Sequence, residues 1–551
     1  MADMMTADPT REHAEAAEAR GDFAEAAALW SRLAAASPDS ADLQYRLGNA
    51  LRVAGDQQGA ITALERAVSL GYGPPWAHMA LGHMATGAGR NLMALTHFRA
   101  ASAIDPNYLE PRFMQAFSAK EAEWFDLARR LFRALPAELP AWWDSTRHQA
   151  YVHHDRSLEV ARRLLRQRRT GGAFGTPEML HLSEKLIELG RLRRAERLLE
   201  KVTPSHPRRT MLLLRLVLRR DGAAAAAEMA RAVPGELVRQ PDVAVQAARN
   251  CLEANQLDQA IALLEAVPPE QQNGATRVVL SNILLTGSRA EQLRDMTRRW
   301  VAAMPEVTEP HRYLLSAERL AGRLPLLQES GEPITDLPPI PLIQYWHDGK
   351  VPEDVAQLMA GWRENNPGVQ HRVYSEETAR DFLRNRFGAD AITCFERSTH
   401  AAMQADLFRL YFLVAEGGIY VDADEVSQRP LDPVRAALRE AELVLALADG
   451  VPTYANNFFF VARPNSTVLT RALEDAQSRL LGDPNRKPAI WDVTGPGCIT
   501  RALGNALLAI EDPAEARRLA VALTLKHYRS FSLTEDNLGY KKRPEGNWRL
   551  A

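Results

Sequence analysis

The sequence predicts two parts: an all-α solenoid of helical repeats, followed by an α/β domain with a mostly parallel sheet. Small residues recur at intervals of 34 positions in the first part of the chain, and a fixed period of about 20 to 50 residues is the signature of stacked repeats. Five prolines between Pro325 and Pro341 end this periodicity, and short apolar runs then alternate with amphipathic stretches. Strands that alternate with helices favour a parallel sheet covered by helices.

The composition is that of an ordinary globular chain. Of 551 residues, 46% are hydrophobic and 25% are charged, and the formal net charge is −2. This balance gives no overall field for nucleic acid or an anionic membrane. Cys251, Cys394 and Cys498 lie far apart and form no disulfide or metal-binding pattern. No signal-peptide pattern and no transmembrane run is visible, so we expect a cytoplasmic protein without a nucleic-acid partner.

Three series of residues keep the interval of 34 positions. They are Gly48 and Gly82, then Ala26, Ala60, Ala94 and Ala128, then Trp30, Leu64, Phe98 and Phe132. The small residues let paired helices approach closely, and the large residue four positions after each alanine fills the gap beneath the next unit. A 34-residue unit of this kind resembles the tetratricopeptide repeat. The pattern is strong over residues 8–138 and weaker beyond, so we expect a tetratricopeptide-like repeat arm over residues 1–325.

Stacked repeats of this kind present an extended concave surface, which is typical of protein and peptide binding. We therefore expect a protein partner to bind the arm. A scaffold that only dimerises the chain, or that braces the next domain, fits the same pattern, because a fold does not determine a function. The basic run RRLLRQRR, which starts at Arg162 on a repeat helix, is either a solvated face or a patch for an acidic partner.

Residues 326–339 are predicted to be a proline-rich linker, and residues 340–551 are predicted to be the α/β domain. Strands are predicted at LIQYW, HRVYS, IYV, ELVLALA and NNFFFVA, with a further strand near AIWDVTGPG. Helices are predicted at EDVAQLMAGWREN, SEETARDFLRNRFG and HAAMQADLFRLYFLVAEGG. Ligands of such sheets bind at the carboxyl ends of the strands.

Two aspartates follow one of the short predicted strands. The segment GGIYVDAD places Asp422 and Asp424 where the strand Ile419–Val421 ends, and Ala423 between them points the other way if the chain stays extended. Two carboxylates at a strand end suit a hard divalent cation that is held together with substrate phosphates. The sequence therefore suggests a metal site at this edge of the sheet.

The longer segment QADLFRLYFLVAEGGIYVDAD resembles the DXD signature of sugar-transferring enzymes of the mannosyltransferase and capsular-polysaccharide type. Large glucosylating toxins share this core. Similar segments in the expected order are IPLIQYWHDGKVP, WRENNPGVQHRVYSEE and DVTGPGCITRAL, and the resemblance covers residues 338–532. It implies a GT-A type nucleotide-sugar-binding fold, a nucleotide-sugar donor and a divalent cation, Mn²⁺ or Mg²⁺.

The resemblance also implies roles for individual residues. Asp424 would coordinate the metal, and Asp422 would bind the ribose or the sugar and support the metal shell through water. Asp406 and Arg409, three positions apart and therefore neighbours on one helix flank, would hold the donor sugar and steer the diphosphate. The other implied positions are Tyr420 in the nucleotide pocket, Trp346 stacked on the base, Asn457 on the donor and His527 as a late metal ligand.

The favoured hypothesis is a metal-dependent glycosyltransferase that moves a sugar from a nucleotide-sugar donor to a glycan or protein acceptor, with the repeat arm recruiting the acceptor or a partner. The cation would stabilise charge on the departing diphosphate, and the resemblance favours retention of configuration. An alternative is a repeat-based binding or scaffold protein with an inactive sugar-transferase-like domain. Three departures from the family pattern motivate it: Gln344–Trp346, Asn456–Asn457 and Ser530–Phe531. A metal phosphohydrolase is a third hypothesis, which Trp346 and the repeat arm disfavour.

Overall fold

The computed structural model describes residues 11–170, 174–329, 334, 336–450, 452–482, 489–535 and 538–542. The described residues divide into two compact units. The first unit contains residues 11–14 and 23–289, and the second contains residues 15–22 and the chain from Ala290 onward. The predicted limits of the arm, the linker and the α/β domain stay predictions, but the unit that holds the sheet already begins with the helix at Ala290.

Helices that pack against their neighbours in sequence form the first unit. The small and large residues of the 34-residue pattern meet in its interior. A Cβ atom at Gly48 would lie 2.6 Å from Leu64 Cγ, and one at Gly82 would lie 2.6 Å from Phe98 Cε1. Leu64 also packs with Leu81 of the next helix. The predicted helical solenoid is confirmed, and glycine is required where a large side chain enters between two helices.

The helices up to the end of the first unit follow one another closely along the chain. They are α1 (Arg11–Ala19), α2 (Phe23–Ala36), α3 (Ala41–Ala54), α4 (Gln57–Ser69), α5 (Trp76–Gly87), α6 (Asn91–Ile104), α7 (Leu109–Glu121), α8 (Phe125–Arg133), α9 (Ala141–Arg169), α10 (Thr176–Glu188), α11 (Leu192–Leu199), α12 (Pro207–Asp221), α13 (Ala223–Arg231), α14 (Gly235–Val238), α15 (Pro241–Glu253), α16 (Leu257–Glu265) and α17 (Gly274–Thr286).

The second unit contains a mixed six-stranded sheet and a two-stranded sheet. Its strands are β1 (Ile340–Tyr345), β2 (Val369–Tyr374), β3 (Gly418–Val421), β4 (Glu425–Ser427), β5 (Leu443–Leu447), β6 (Ala455–Ala462), β7 (Val521–Thr524) and β8 (Ser532–Thr534). The larger sheet has the order β2-β1-β3-β6-β5-β7, and only β6 runs against its neighbours within the described strands. The predicted α/β domain with a mostly parallel sheet is confirmed.

Helices cover both faces of this sheet. From Ala290 onward, the helices of this unit are α18 (Ala290–Ala303), α19 (Thr308–Leu320), α20 (Glu353–Asn365), α21 (Glu376–Phe387), α22 (Ala389–Arg397), α23 (Ala401–Glu416), α24 (Asp432–Ala436), α25 (Thr467–Leu481), α26 (Ile490–Val493), α27 (Pro496–Leu508), α28 (Pro513–Leu519) and α29 (Leu525–Tyr528). Alternate strand residues enter two apolar layers: Tyr420 and Phe460 face one, and Ile419 and Val461 face the other. Within the described residues, no helix combines the length and the apolar character of a membrane span.

One predicted strand is wrong. The segment AIWDVTGPG forms the short helix α26 and a tight turn. The Gly495 amide donates to the carbonyl of Ile490 over 2.9 Å, and a Cβ atom at Gly495 would lie 3.0 Å from the same oxygen. Because the chain closes on itself here, it cannot extend into a ladder. Among the strands that the structure describes, β4, β7 and β8 were not predicted.

A buried ion cluster joins the α18–α19 hairpin to the rest of the second unit. The Glu318 side chain, which has 0% exposure, contacts Arg294 at 2.9 Å and Arg323 at 2.6 Å. Arg323 also donates to the backbone carbonyls of Ile510 and Glu511, each at 2.8 Å. The carboxylate therefore pairs with two guanidinium groups in a place that water scarcely reaches, which makes the hairpin part of this unit.

We expect Glu318→Ala to destabilise the full chain by roughly 3–5 kcal/mol, because it leaves the buried Arg323 without its counter-ion. The matched control is Glu291→Ala, which removes a 75% exposed partner of the same Arg294 and should cost less than about 1 kcal/mol. Urea unfolding of both variants measures the difference. Equal midpoints for the two variants would contradict the structural role of Glu318.

Candidate functional site

Two glycines place the motif at the end of a central strand. Gly417 ends α23 with φ 66°, and Gly418 begins β3 with φ 109°. A Cβ atom at Gly417 would lie 2.8 Å from the Ala462 carbonyl oxygen, and one at Gly418 would lie 2.5 Å from that of Pro341. Larger residues would push β3 away from its neighbours β1 and β6. The glycine pair therefore allows the helix to turn directly into the middle of the sheet.

Asp422 lies just beyond the carboxyl end of β3. Its Oδ1 atom accepts a hydrogen bond from the Tyr420 hydroxyl at 2.8 Å and lies 3.2 Å from Arg409 Nη2. Tyr420 and Asp422 are two residues apart, so both side chains leave an extended chain on the same side. The Arg409 guanidinium lies over the Tyr420 ring, 4.0 Å from its centroid. Asp422 is thus tied to the core by a phenol and a guanidinium.

Asp406 belongs to the same network. Its carboxylate lies 2.8 Å from Arg409 Nη2 and accepts hydrogen bonds from Asn457 at 2.8 Å and from Thr494 at 3.2 Å. Arg409 also donates to the backbone carbonyl of Asn457. The structure therefore brings together five of the predicted site residues, which come from α23, β3 and β6: Asp406, Arg409, Tyr420, Asp422 and Asn457.

Burial makes two of these carboxyl groups hard to ionise. It raises the pKa of Asp406 to about 6 and the pKa of Asp422 to about 7, although the nearby Arg409 opposes both shifts. The charge of Asp424 raises the pKa of Asp422 further. In the absence of a bound cation, Asp422 therefore changes its charge near neutral pH. A cation at this place would favour the ionised form.

Asp424 is held by a lysine from the C-terminal segment. Lys541 Nζ lies 2.7 Å from Asp424 Oδ2 and donates to the backbone carbonyl of Glu535 at 2.7 Å. The Glu535 amide in turn donates to the Asp424 carbonyl at 2.9 Å. The ammonium group of Lys541 therefore contacts the carboxylate of Asp424, which the sequence analysis assigns to the metal. This contact shows that the Asp424 carboxylate faces a position that accepts a positive charge.

The donor set at the two aspartates fits a hard divalent cation only in part. Within the described chain, no group of three or more His, Cys, Asp or Glu side chains is arranged to hold a metal ion. Asp422 and Asp424 would therefore supply two carboxylates, and the remaining ligands would be phosphate oxygens of the substrate and water. That combination is typical of Mg²⁺ and similar ions at phosphate-transferring sites.

His527 lies in a different environment. Its Nε2 atom donates to Glu329 at 2.7 Å, and Arg429 also donates to Glu329, at 2.8 Å through Nη1. Although burial opposes ionisation, hydrogen bonds from Arg429 and His527 lower the pKa of Glu329 to about 2. The structure does not bring His527 into a metal-binding group with the two aspartates, and its predicted role as a metal ligand finds no support in this geometry.

Trp346 lies next to the motif, inside a small apolar cluster. The ring is 6% exposed and packs with Val355, Met359, Ala423 and Leu538. Because Ala423 separates the two aspartates, this packing puts the indole beside the motif. The predicted stacking of Trp346 on a nucleotide base stays a prediction.

Besides Lys541, three polar residues of the site were missed. Gln344 donates to the Asp422 carbonyl at 3.2 Å and accepts from His371 at 2.9 Å. Thr494 lies in the DVTGPG segment. The resemblance of this segment to the family could have identified Thr494 as a site residue. Glu425 accepts hydrogen bonds from hydroxyl groups, and burial raises its pKa. The hydroxyls belong to Tyr528, Ser532 and Thr534. Sequence spacing gave no signal for these long-range contacts.

Residues 352–440 match the sequence model of a family described as a glycosyltransferase sugar-binding region containing a DXD motif. The matched residues include Asp406, Arg409, Asp422 and Asp424. The predicted resemblance is therefore confirmed, and the second unit carries a glycosyltransferase region of the DXD type.

Individual relatives match over short stretches. Inositol phosphoceramide mannosyltransferase 1 of Schizosaccharomyces pombe is 22% identical over 173 residues, which cover 31% of this chain and 52% of that protein. The initiation-specific alpha-1,6-mannosyltransferase of the same yeast is 31% identical over 85 residues, 14% of this chain and 22% of that protein. The chain thus spans about half the length, or less, of these curated relatives. Among solved structures, the PaToxG glycosyltransferase is 16% identical, with 47% of this chain and 97% of that one covered, at a TM-score of 0.26.

The raised pKa of Asp422 has a testable consequence for stability. Between the ordinary value of 3.8 and about 7, the folded carboxyl keeps its proton while the unfolded one loses it, so this group makes the fold less stable as the pH rises. Asp422→Asn cannot ionise. We therefore expect its melting temperature, relative to wild type, to rise between pH 5 and pH 8 in chelator.

The control for that measurement is Asp381→Asn on α21, which changes an aspartate with 58% side-chain exposure. Its effect on the melting temperature should not vary with pH over the same range. A pH-independent difference between Asp422→Asn and wild type would contradict the assigned titration of Asp422.

Lys541 should compete with a divalent cation for Asp424. We expect Lys541→Met to bind Mn²⁺ several-fold more tightly than wild type in the absence of donor, because the cation no longer has to displace the ammonium group. Lys350→Met, a change at an exposed lysine, is the control and should leave the affinity unchanged. Calorimetric titration of the full chain with Mn²⁺ measures both. Weaker binding to Lys541→Met would show that Lys541 does not compete.

Proposed function

We propose that this protein is a metal-dependent glycosyltransferase that moves a sugar from a nucleotide-sugar donor to a glycan or protein acceptor. The observation that carries the proposal is the network in which one buried guanidinium, that of Arg409, holds Asp406 at 2.8 Å and Asp422 at 3.2 Å. Arg409, Asp406 and Asp422 all lie within residues 352–440, which match the DXD family. The network presents carboxylates at the carboxyl end of a central strand, where ligands of such sheets bind.

Asp424 and Asp422 would hold the cation, Mn²⁺ or Mg²⁺, together with the diphosphate of the donor. When bound, the cation supplies Lewis-acid stabilisation of the charge that develops on the departing diphosphate. Asp406 would accept hydrogen bonds from donor-sugar hydroxyls, since Asn457 and Thr494 orient its carboxylate. Fixing the sugar in this way lowers the entropic part of the barrier.

The resemblance to DXD-type sugar-transferring enzymes favours retention of configuration in this transfer. Each carboxylate of the network has a cationic partner in the structure: Arg409 contacts Asp406 and Asp422, and Lys541 contacts Asp424. Asp406, Asp422 and Asp424 are all assigned to donor and cation binding in this proposal, so within the described site none of the three is left as a base that activates the acceptor for inversion.

The same proposal includes the identity of the donor sugar and the role of the repeat arm in binding a partner. The two yeast relatives are named as mannosyltransferases, so a nucleotide-linked mannose is the first donor to test. The solenoid would recruit the acceptor or a protein partner, which is the usual task of stacked repeats. A cytoplasmic location fits nucleotide-sugar donors and stays a prediction.

The test measures release of nucleoside diphosphate from GDP-mannose and from UDP-linked hexoses, with Mn²⁺ and with chelator. We expect metal-dependent release with at least one donor, and a loss of at least about a hundredfold in Asp424→Asn, since the main electrostatic stabilisation would be removed. Asp381→Asn should retain the rate of wild type. Full Mn²⁺-dependent release by Asp424→Asn would refute the metal role of Asp424.

The alternative is a binding protein whose sugar-transferase-like unit is inactive. The departures at Gln344–Trp346, Asn456–Asn457 and Ser530–Phe531 motivate it. It predicts that a donor raises the melting temperature without turnover, because a ligand selective for the folded state stabilises it. Turnover with any donor excludes this alternative.

A further inference from the structure

Positive charge is concentrated in one part of the first unit. Residues 156–220 contain 17 Arg and Lys against 6 Asp and Glu, a net charge of +11, whereas the whole chain carries −2. The near-neutral total therefore hides a strong local excess of positive charge. A local excess of this size creates a field that is absent from the average.

Helix α9 carries the densest part of this charge. Arg156, Arg162, Arg163, Arg166, Arg168 and Arg169, here called the basic face, are all exposed. The same helix buries Ala150, Ser157, Ala161 and Leu164. Because successive helix residues are about 100° apart, Arg162, Arg163 and Arg166 lie opposite this buried stripe. Packing in the solenoid therefore leaves the guanidinium groups directed towards the solvent.

The basic face also differs from neighbouring arginines in its pairing. On α12, Arg208 contacts Glu184 at 2.8 Å, Arg215 contacts Glu123 and Arg219 contacts Asp126. Within the described part of the chain, none of the six arginines of the basic face forms an ion pair. Arg168 instead lies over the ring of Phe174, 5.6 Å from its centroid. The arginines of α12 are thus paired with carboxylates, whereas the positive charge of the basic face is not.

The acidic side chains of α9 do not neutralise the row. Glu159 is exposed on the same helix. Asp155, at the start of the row, is engaged by Arg129 of α8 and by His154. Six arginines therefore face one exposed carboxylate over about four turns of helix. Clusters of about four to eight basic residues on one helix are typical of binding to anionic lipid headgroups.

We propose that the basic face of α9 docks this protein on an anionic membrane surface through the phosphates of lipid headgroups. Guanidinium groups bind phosphate with two parallel hydrogen bonds, which favours arginine over lysine for this task. A membrane presents many phosphates in one plane, so the arginines that lie opposite the buried stripe, Arg162, Arg163 and Arg166, can be engaged at once. The proposal does not rest on the proposed enzymatic function, since it concerns a surface of the first unit alone.

The same surface fits nucleic acid less well. Binding of single strands requires aromatic rings between the basic residues for base stacking. The exposed indole of α9 belongs to Trp142, and its Cα lies about 30 Å along the helix axis from that of Arg162 at a rise of about 1.5 Å per residue. Phe174 is covered by Arg168. The row therefore offers charge without a stacking platform.

The test compares binding of the full chain to vesicles of phosphatidylcholine alone and to vesicles that also contain about 30% phosphatidylglycerol. The test variant changes Arg162, Arg163, Arg166 and Arg169 to Gln, which keeps the helix propensity. The control variant removes the same charge from exposed positions of other helices by changing Arg32, Arg66, Arg99 and Arg133 to Gln. Sedimentation at about 0.1 M and about 0.5 M salt measures the bound fraction.

We expect wild type and control to bind only the anionic vesicles, with loss of binding at high salt, and the α9 variant to bind at least about tenfold more weakly. Circular dichroism of the α9 variant should equal that of wild type, which excludes unfolding as the cause. Equal binding by wild type and the α9 variant would overturn the proposal. So would failure of wild type to bind anionic vesicles, or tighter binding to duplex DNA or to an anionic polysaccharide than to the vesicles.

Discussion

The candidate site depends on the contacts that the buried guanidinium group of Arg409 makes. Arg409 is 3% exposed, and it joins Asp406, Asp422 and the ring of Tyr420. A charge removed from water is costly unless counter-charges and hydrogen bonds compensate it, so α23, β3 and β6 have to keep their positions. The site is therefore built into the core of the second unit, and the same contacts that stabilise the fold orient the carboxylates.

The two aspartates of the motif are held in different ways, and this difference suggests a division of roles. Asp422 is fixed from inside by Tyr420 and Arg409, whereas Asp424 is held by Lys541 from the C-terminal segment. A core-linked carboxylate keeps its geometry whether or not a ligand is present. The side chains of Lys541 and Asp424 are 21% and 19% exposed, so their ion pair still reaches solvent and another cation can take the place of the lysine.

Local patterns predicted much of the architecture because they report local physics. Apolar runs bounded by turns identified β1, β2, β3, β5 and β6, and the 34-residue spacing identified the solenoid. The prediction of a strand at AIWDVTGPG was wrong because a backbone turn, closed by the Gly495 amide on the Ile490 carbonyl at 2.9 Å, prevailed over the preference of Ile and Trp for strands. The strands β4 and β8 are short and have few apolar residues, so they gave little periodicity.

The sequence by itself determined the order of the two parts, the strand that carries Asp422 and Asp424, and the neighbourhood of Asp406 and Arg409, since all of these follow from spacing along one helix or strand. Only the tertiary structure decided that Asn457 and Thr494 orient Asp406, that Lys541 contacts Asp424, and that His527 turns to Glu329. These pairs are separated by 51, 88, 117 and 198 positions. No local periodicity reports which distant side chains meet, because the packing of the sheet and its helices sets those distances.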